Sequence, residues 1–420
     1  MGFIAGLRAG YTSIALLLSL LLLPYAAHSK RVAVVGGSGR VGGSAVYYLH
    51  RRAAAARQSL EIHVVGRSEE SYRSFRDRYG DRIGSDDSSI TFDRLDVSVD
   101  TSVDAYLASG GFDLVVNTAG PFQGLGESPL LRSCLRCGVD YVDVCDDIAL
   151  SRVCRSEPYQ QLARASGATA IISAGIWPGV SSLLAKALVD TVPSGEVDEV
   201  LFSFFTAGSG GAGLTILTAT FLLLGERVLQ YRNGEAVYSD PGTQVLASDF
   251  GPGIGIKQVA NLNLIECESC FTTNDGRVPA VSTFFGTDPP FWNLLFRVMC
   301  LVIPKRALQS RALMEKLAWL SLPAVRLVDS FVGSKNGIRV DVSYTGGGKA
   351  RALLTHRDLE AAVGLALALF AEQLLHSATV ARGGVFFPEE VVGADFAQAI
   401  VAGVSTQDDN CIAFEIGRVG

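Results

Sequence analysis

One stretch near the start of the chain constrains it most. The apolar run Val32-Ala33-Val34-Val35 leads into Gly36-Gly37-Ser38-Gly39-Arg40-Val41-Gly42-Gly43, and helix-forming residues follow to about position 56. Gly37, Gly39 and Gly42 fit G-x-G-x-x-G in the strand–turn–helix setting that gives this spacing its meaning. Gly37 permits a tight turn, Gly39 leaves room for a pyrophosphate, and Gly42 lets the helix pack close to the strand. Ser38, Arg40 and Val41 complete the loop, and N–H groups at the helix start would receive the phosphates. A glycine-rich turn without a ligand is the plainer alternative.

The next apolar alternation, 60–65, ends in Gly66-Arg67-Ser68. A cofactor lacking a 2′-phosphate usually meets Asp or Glu at this strand end. Arginine instead forks onto phosphate oxygens, and a serine hydroxyl adds a bond. Arg67 and Ser68 therefore favour NADP over NAD, although a solvated loop arginine would read the same way. A third strand over 90–97 contains Asp96, which could reach the adenine edge or cap a helix. The fourth, 112–117, is apolar at its centre, as suits a strand covered on both faces. It delivers Asn117, Thr118, Gly120, Pro121 and Phe122 to the carboxyl end of the sheet, where ligands bind in open parallel sheets. Strand five, 139–144, is followed by Cys145-Asp146-Asp147, and strand six spans 167–173.

Near residue 197 the pattern changes. A strand at 199–205 precedes a second glycine-rich loop, 206–213, which could close over a ligand or act as a hinge. An apolar helix follows at 214–224. Residues 236–250 are polar and irregular, while 262–272 and 280–286 favour strands of a second sheet. The stretch 291–303, interrupted by Arg297, is the most apolar outside the first 29 residues. It could be a buried helix, a homodimer face or a helix in peripheral contact with a membrane, and the apolar patch at 319–328 strengthens the interaction readings. A strand at 337–346 and a hairpin partner at 350–355 precede His356. Asp358 then caps a long apolar helix, 359–375. The fold class read from this order is α/β: a Rossmann-type parallel sheet domain with an inserted α+β second domain and a C-terminal helix returning to the first. The expected division is 1–29, 30–178, 179–354 and 355–420.

Composition narrows the function. A formal net charge of −6 without a basic tail argues against a nucleic-acid binder. Eight cysteines in 420 residues are no disulfide scaffold. Cys134/Cys137 and Cys267/Cys270 imitate a four-thiolate zinc site. The first pair lies in a helical pattern and the second flanks a probable strand, so buried thiols are expected rather than a metal. Residues 1–29 read as a targeting leader or signal anchor, with Arg8 before the apolar run 14–23 and small residues after it. An organelle, with a plastid favoured, would reconcile such a leader with a cofactor-dependent enzyme. The endoplasmic reticulum membrane or the cytoplasm are the alternatives.

With these residues in view, the chain resembles the saccharopine dehydrogenase-like oxidoreductases over about 31–396. The most specific match is Val115-Val116-Asn117-Thr118-Ala119-Gly120-Pro121-Phe122, continued by Gly126-Glu127, Cys134 and Gly138-Val139-Asp140-Tyr141-Val142-Asp143. The leading glycine loop and the late Gly384-Val385-Phe386-Phe387-Pro388-Glu389-Glu390 also fit. The resemblance implies a nicotinamide-dependent fold with a paired second domain, whose well-studied members transfer hydride at an amino-acid amine or imine. It places Gly37, Gly39 and Gly42 at the pyrophosphate, Arg67 and Ser68 at the 2′-phosphate, and Asn117, Gly120, Pro121 and Phe122 beside the nicotinamide. The middle region offers Arg227, Arg232, Lys257 and Arg277 but no recognisable clamp for several carboxylates, so a less polar small-molecule substrate is expected.

The expected reaction is hydride transfer between NADPH and a C=N, C=O or activated C=C bond, which requires a proton donor for most such reductions. Asp143 and Tyr141 lie near the correct sheet edge, as do Asp146 and Asp147. His356 could serve if the returning segment lines the cleft. The rival is a non-catalytic NADP-binding, membrane-associated or scaffold protein.

Overall fold

Six consecutive strands and one that returns late in the chain build the first sheet. The computed structural model describes residues 29–419 except 85–86, 99, 194, 208–212, 378–379, 392–393 and 407–408. Expectations for the leader and for the centre of the loop at 206–213 lie outside the described residues. Strand β1 (Lys30–Val35) leads through the glycine turn into α1 (Arg40–Ala56). Then come β2 (Leu60–Gly66), α2 (Glu69–Ile83), β3 (Ile90–Arg94), α3 (Asp100–Gly110), β4 (Leu114–Asn117), α4 (Pro129–Cys137) and β5 (Asp140–Asp143). Two helices, α5 (Ile148–Cys154) and α6 (Glu157–Ser166), precede β6 (Thr169–Ile171). With the late strand β15 (Gly384–Phe386), all pairings in this sheet are parallel, in the order β15-β6-β5-β4-β1-β2-β3. Val32 to Val35 are all buried, because helices cover both faces and leave no solvent side for polar alternation. The strand order reverses between β1 and β4, which is where dinucleotides bind in this topology.

Helix α7 (Val180–Val189) leads to the second sheet, which starts with β7 (Val197–Ala207). Helix α8 (Leu214–Leu223), the hairpin β8 (Val228–Arg232) and β9 (Glu235–Ser239), then β10 (Val245–Asp249) and β11 (Ile256–Asn261) follow. So 236–250, expected to be irregular, holds two strands; their largely exposed side chains gave them a polar, loop-like composition. The strand expected over 262–272 is instead mostly α9 (Glu266–Thr273). Its buried Glu266 and Glu268 disguise the inward face. Strand β12 (Val281–Asp288), α10 (Phe291–Val302), α11 (Lys305–Leu308), α12 (Arg311–Val332) and the hairpin β13 (Lys335–Tyr344) with β14 (Lys349–His356) complete this part. With the last strand, β16 (Cys411–Val419), the sheet runs β10-β11-β12-β7-β13-β14-β16, with β8 against β12 and β9.

The chain then returns. Helix α13 (Leu359–His376) is long and apolar enough to cross a membrane, but it is mostly buried and packs along α1. The approach is so close that a Cβ on Gly364 would stand 2.4 Å from Ser44 Oγ. Asp358 caps it, accepting from the Ala361 N–H at 2.9 Å. The last elements divide between the sheets. Strand β15 (Gly384–Phe386) joins the first, while β16 (Cys411–Val419), after α14 (Ala394–Thr406), pairs with β14 in the second.

Candidate functional site

The glycine turn forms one rim of a cleft of about 360 Å³ between the two sheets. That volume lies in the range of small-molecule sites. Gly36 turns at φ +75°, and its oxygen accepts from the Gly39 N–H at 2.8 Å. A Cβ on Gly42 would stand 2.2 Å from that same oxygen and 2.6 Å from Thr118 Oγ1. Gly39 is the N-cap of α1 and supplies no side-chain cap. The first N–H groups of a 17-residue helix therefore lie beside the cleft, the arrangement that receives phosphate. The residues present fit a dinucleotide: the cradle is one that side chains would fill, and it lies at the switch point between β1 and β4.

The other sequence-selected residues fall around this turn. Gly39, Arg40, Val41, Gly42, Gly120, Pro121 and Phe122 line the cleft. Gly66, at the end of β2, approaches the loop so closely that a Cβ there would meet Ser38 Oγ at 3.3 Å. Arg67 follows it, exposed, with no ion pair among the described residues. Ser68 caps α2, its Oγ accepting from the Ser71 N–H at 3.3 Å. Asp96 is held in a local turn, accepting from the N–H and hydroxyl of Ser98 at 3.0 and 2.7 Å. These bonds lower its pKa. Arg40 pairs with Glu360 of α13 at 2.7 Å, tying the helix start to the returning helix.

Strand parity sorts the acid candidates. Tyr141 and Asp143 share one face of β5, and Tyr141 donates to Asp143 Oδ2 at 2.9 Å while accepting from Asn117 Nδ2 at 2.9 Å. Asp143 Oδ1 also accepts from the N–H groups of Cys145 and Ser173. This network ties together the chain segments at the ends of β4, β5 and β6, with Asp143 only 3% exposed. Burial raises the Asp143 carboxyl to about 6 despite these donors. Val144, at the next position of opposite parity, lines the cleft. His356 is buried at the end of β14 beside the Trp177 ring, and neither ring nitrogen has a hydrogen-bond partner among the described residues. Burial pushes its pKa down to about 3, so the imidazole is neutral near pH 7 and carries no imidazolium proton to donate.

Three carboxylates line the cleft, Asp146, Glu266 and Asp329 of α12, and the first two are raised by burial. Asp146 follows β5, accepts from Gln123 Nε2 at 2.8 Å and is raised to about 6 by burial. Glu266, the first residue of α9, is 2% exposed and accepts from Ser181 Oγ at 2.9 Å. Burial raises it to about 7. Sequence reading placed Asp146 near the sheet edge but missed Glu266, whose one signal was an acid directly after the apolar pair Leu264-Ile265. Between pH 4.5 and 7 native Glu266 holds a proton that the unfolded chain releases. Its stabilising contribution is therefore complete below about pH 4.5 and is lost as pH rises through 7. Glu266→Gln should accordingly raise stability at pH 8 by up to about 3 kcal/mol and leave it nearly unchanged at pH 4, as read by denaturant unfolding.

The rest of the lining is largely apolar and aromatic, including Trp177, Phe204, Phe221, Phe285, Trp292 and Phe296. Arg40 is the one Lys or Arg among the described lining residues. Of the cations weighed for a clamp, Lys257 pairs with Asp288, Arg277 binds Asp190 and two carbonyls, and Arg227 binds the Tyr238 carbonyl. Cys134/Cys137 and Cys267/Cys270 lie on separate helices, α4 and α9. No cluster of three metal-ligating side chains occurs among the described residues.

Residues 32–171 match the family model of the saccharopine dehydrogenase NADP binding domain. No curated protein matches the sequence. Among solved structures the chain is similar to apo saccharopine dehydrogenase (L-Glu forming) from Saccharomyces cerevisiae, at 14% identity and TM-score 0.61, with 93% of this chain and 100% of that chain covered. An amine dehydrogenase from Mycobacterium smegmatis matches at 12% identity and TM-score 0.43, with 87% and 97% covered. An oxidoreductase from Sinorhizobium meliloti matches at 12% and 0.39, with 93% and 99% covered. The expected relationship is thus present as a distant one, in the first domain by sequence and across the chain by fold.

Proposed function

We propose that this chain, a distant relative of the saccharopine dehydrogenase NADP-binding proteins, is an NADP(H)-dependent oxidoreductase acting on a C=N, C=O or activated C=C bond of a small, predominantly apolar molecule. The observation that carries this reading is the glycine cradle opening at the switch point into a cleft that Asp146 and Glu266 also line. The N–H groups at the start of α1 bind the pyrophosphate, Arg67 takes the 2′-phosphate, and Gly120, Pro121 and Phe122 bound the nicotinamide end. When bound, NADPH supplies the hydride. Trp177, Phe204 and Phe285 hold the substrate and exclude water, which strengthens every polar contact inside. Asp146, protonated below about pH 6, gives its proton to the nitrogen or oxygen that gains charge. Arg40 as the one Lys or Arg among the described lining residues favours a substrate without several carboxylates.

Titration of the full chain with NADPH and NADH at matched salt tests this reading. NADPH should bind more tightly, and Arg67→Ala should weaken NADPH about tenfold, the worth of one charge-assisted contact, while leaving NADH unchanged. A folded chain that binds neither nucleotide would overturn the enzymatic reading.

A further inference from the structure

A helix that packs on a globular core turns its apolar stripe inward. Helix α10 carries a second stripe turned outward. Phe291, Leu294, Leu295, Val298, Leu301 and Val302 follow i, i+3, i+4, i+7 spacing and all are exposed, Leu301 by 85%. The inner side of the same helix is already satisfied, with Phe296 and Met299 packed in a cluster with Phe221 and Leu308. Helix α12 repeats the pattern, leaving Trp319, Leu320, Leu327 and Phe331 exposed, Phe331 by 83%. The inner sides of both helices share one core cluster, and exposed apolar side chains in this number mark an interaction site.

Charge selects the occupant. In a chain of net charge −6, residues 291–332 hold Arg297, Lys305, Arg306, Arg311, Lys316 and Arg326 against only Glu315 and Asp329. Arg306, Lys316 and Arg326 are exposed and have no ion pair among the described residues. A second copy docking through the same face would set these cations against their own equivalents. An anionic lipid surface offers the opposite sign together with an apolar interior, which is what an interfacial helix with basic flanks requires. We propose that α10 and α12 form a docking face for an anionic phospholipid bilayer, inserting their exposed apolar side chains while Arg306, Lys316 and Arg326 meet the headgroups. Trp292 and Phe296 of α10 and Val325 of α12 line the cleft, so docking brings the cleft wall to the bilayer. This inference does not depend on hydride transfer.

The test is vesicle binding by the full chain, with phosphatidylcholine alone or mixed with phosphatidylserine. Wild type should bind the mixed vesicles roughly tenfold more tightly, and less so at high salt. The double variant Leu301→Glu/Phe331→Glu should lose most of this binding. Arg306→Glu/Lys316→Glu should lose the preference for phosphatidylserine. All four positions are exposed, so thermal melts should match wild type. Trp319 reports the face directly: its emission should shift to the blue on mixed vesicles, and the shift should vanish in Trp319→Phe. Binding that neither double variant alters, or binding without the Trp319 shift, would overturn the proposal. So would a wild-type dimer that Leu301→Glu/Phe331→Glu splits without any vesicle binding, since a second copy would then be the occupant.

Discussion

Asp146→Asn should lower the maximal rate of reduction by about 10²- to 10⁴-fold, the usual worth of a positioned general acid, and leave NADPH affinity unchanged. The substrate is any imine, ketone or enone that wild type turns over. Asn keeps the shape and the contact to Gln123 but has no proton to give. Wild-type reduction should also fall as pH rises past about 6, because only protonated Asp146 donates. Asp146→Asn should flatten that limb, a change that a purely structural role would not produce. Retention of the rate in Asp146→Asn and its loss in Glu266→Gln would move the donor to the α9 side of the cleft. Asp143→Asn should behave differently. It disturbs a network that accepts from Tyr141, Cys145 and Ser173, so its main effect falls on stability.

The first sheet was legible because burial on both faces writes itself into sequence as short apolar runs, and the glycine spacing fixed where the ligand edge lies. Parity within β5 was legible too, yet only the fold shows which face meets the cleft: Val144 lines it, and Tyr141 and Asp143 are not among its described lining residues. The second sheet was less legible for two physical reasons. Its strands pair across long separations, as β7 does with β13, so register is set by contacts that no local window contains. Its polar and charged residues also break the usual inside–outside rule. Glu268 is buried because Arg152 forks onto it at 2.7 Å and Tyr231 donates to it at 2.8 Å. Such compensation is invisible until the partners are adjacent. The 22-residue helix α12 hid for the opposite reason, since its exposed apolar residues and internal Pro323 resemble neither a packed helix nor a loop.

The same substitution at two glycines should produce effects of opposite sign. Gly42→Ala should destabilise the first domain by about 3 kcal/mol, the upper range for overpacking, and abolish measurable NADPH binding. Its Cβ would lie 2.2 Å from Gly36 oxygen, 2.6 Å from Thr118 Oγ1 and 2.7 Å from Gly36 carbon. Relief is not available from a flexible side chain. Gly36 is backbone held at positive φ, and Thr118 is fixed by its bond to Val35 oxygen at 2.8 Å. The turn between β1 and α1 must open, which displaces the N–H groups that receive phosphate. Gly80→Ala, inside α2, meets nothing within 4 Å and occupies ordinary helical backbone. It should stabilise the chain by about 0.5–1 kcal/mol through lost unfolded-state entropy, with nucleotide binding intact. Denaturant unfolding and NADPH titration of both variants separate a cradle built around backbone from a turn that merely happens to contain glycine. If Gly42→Ala bound NADPH like wild type, the close approach of α1 to β1 would have no role in the site.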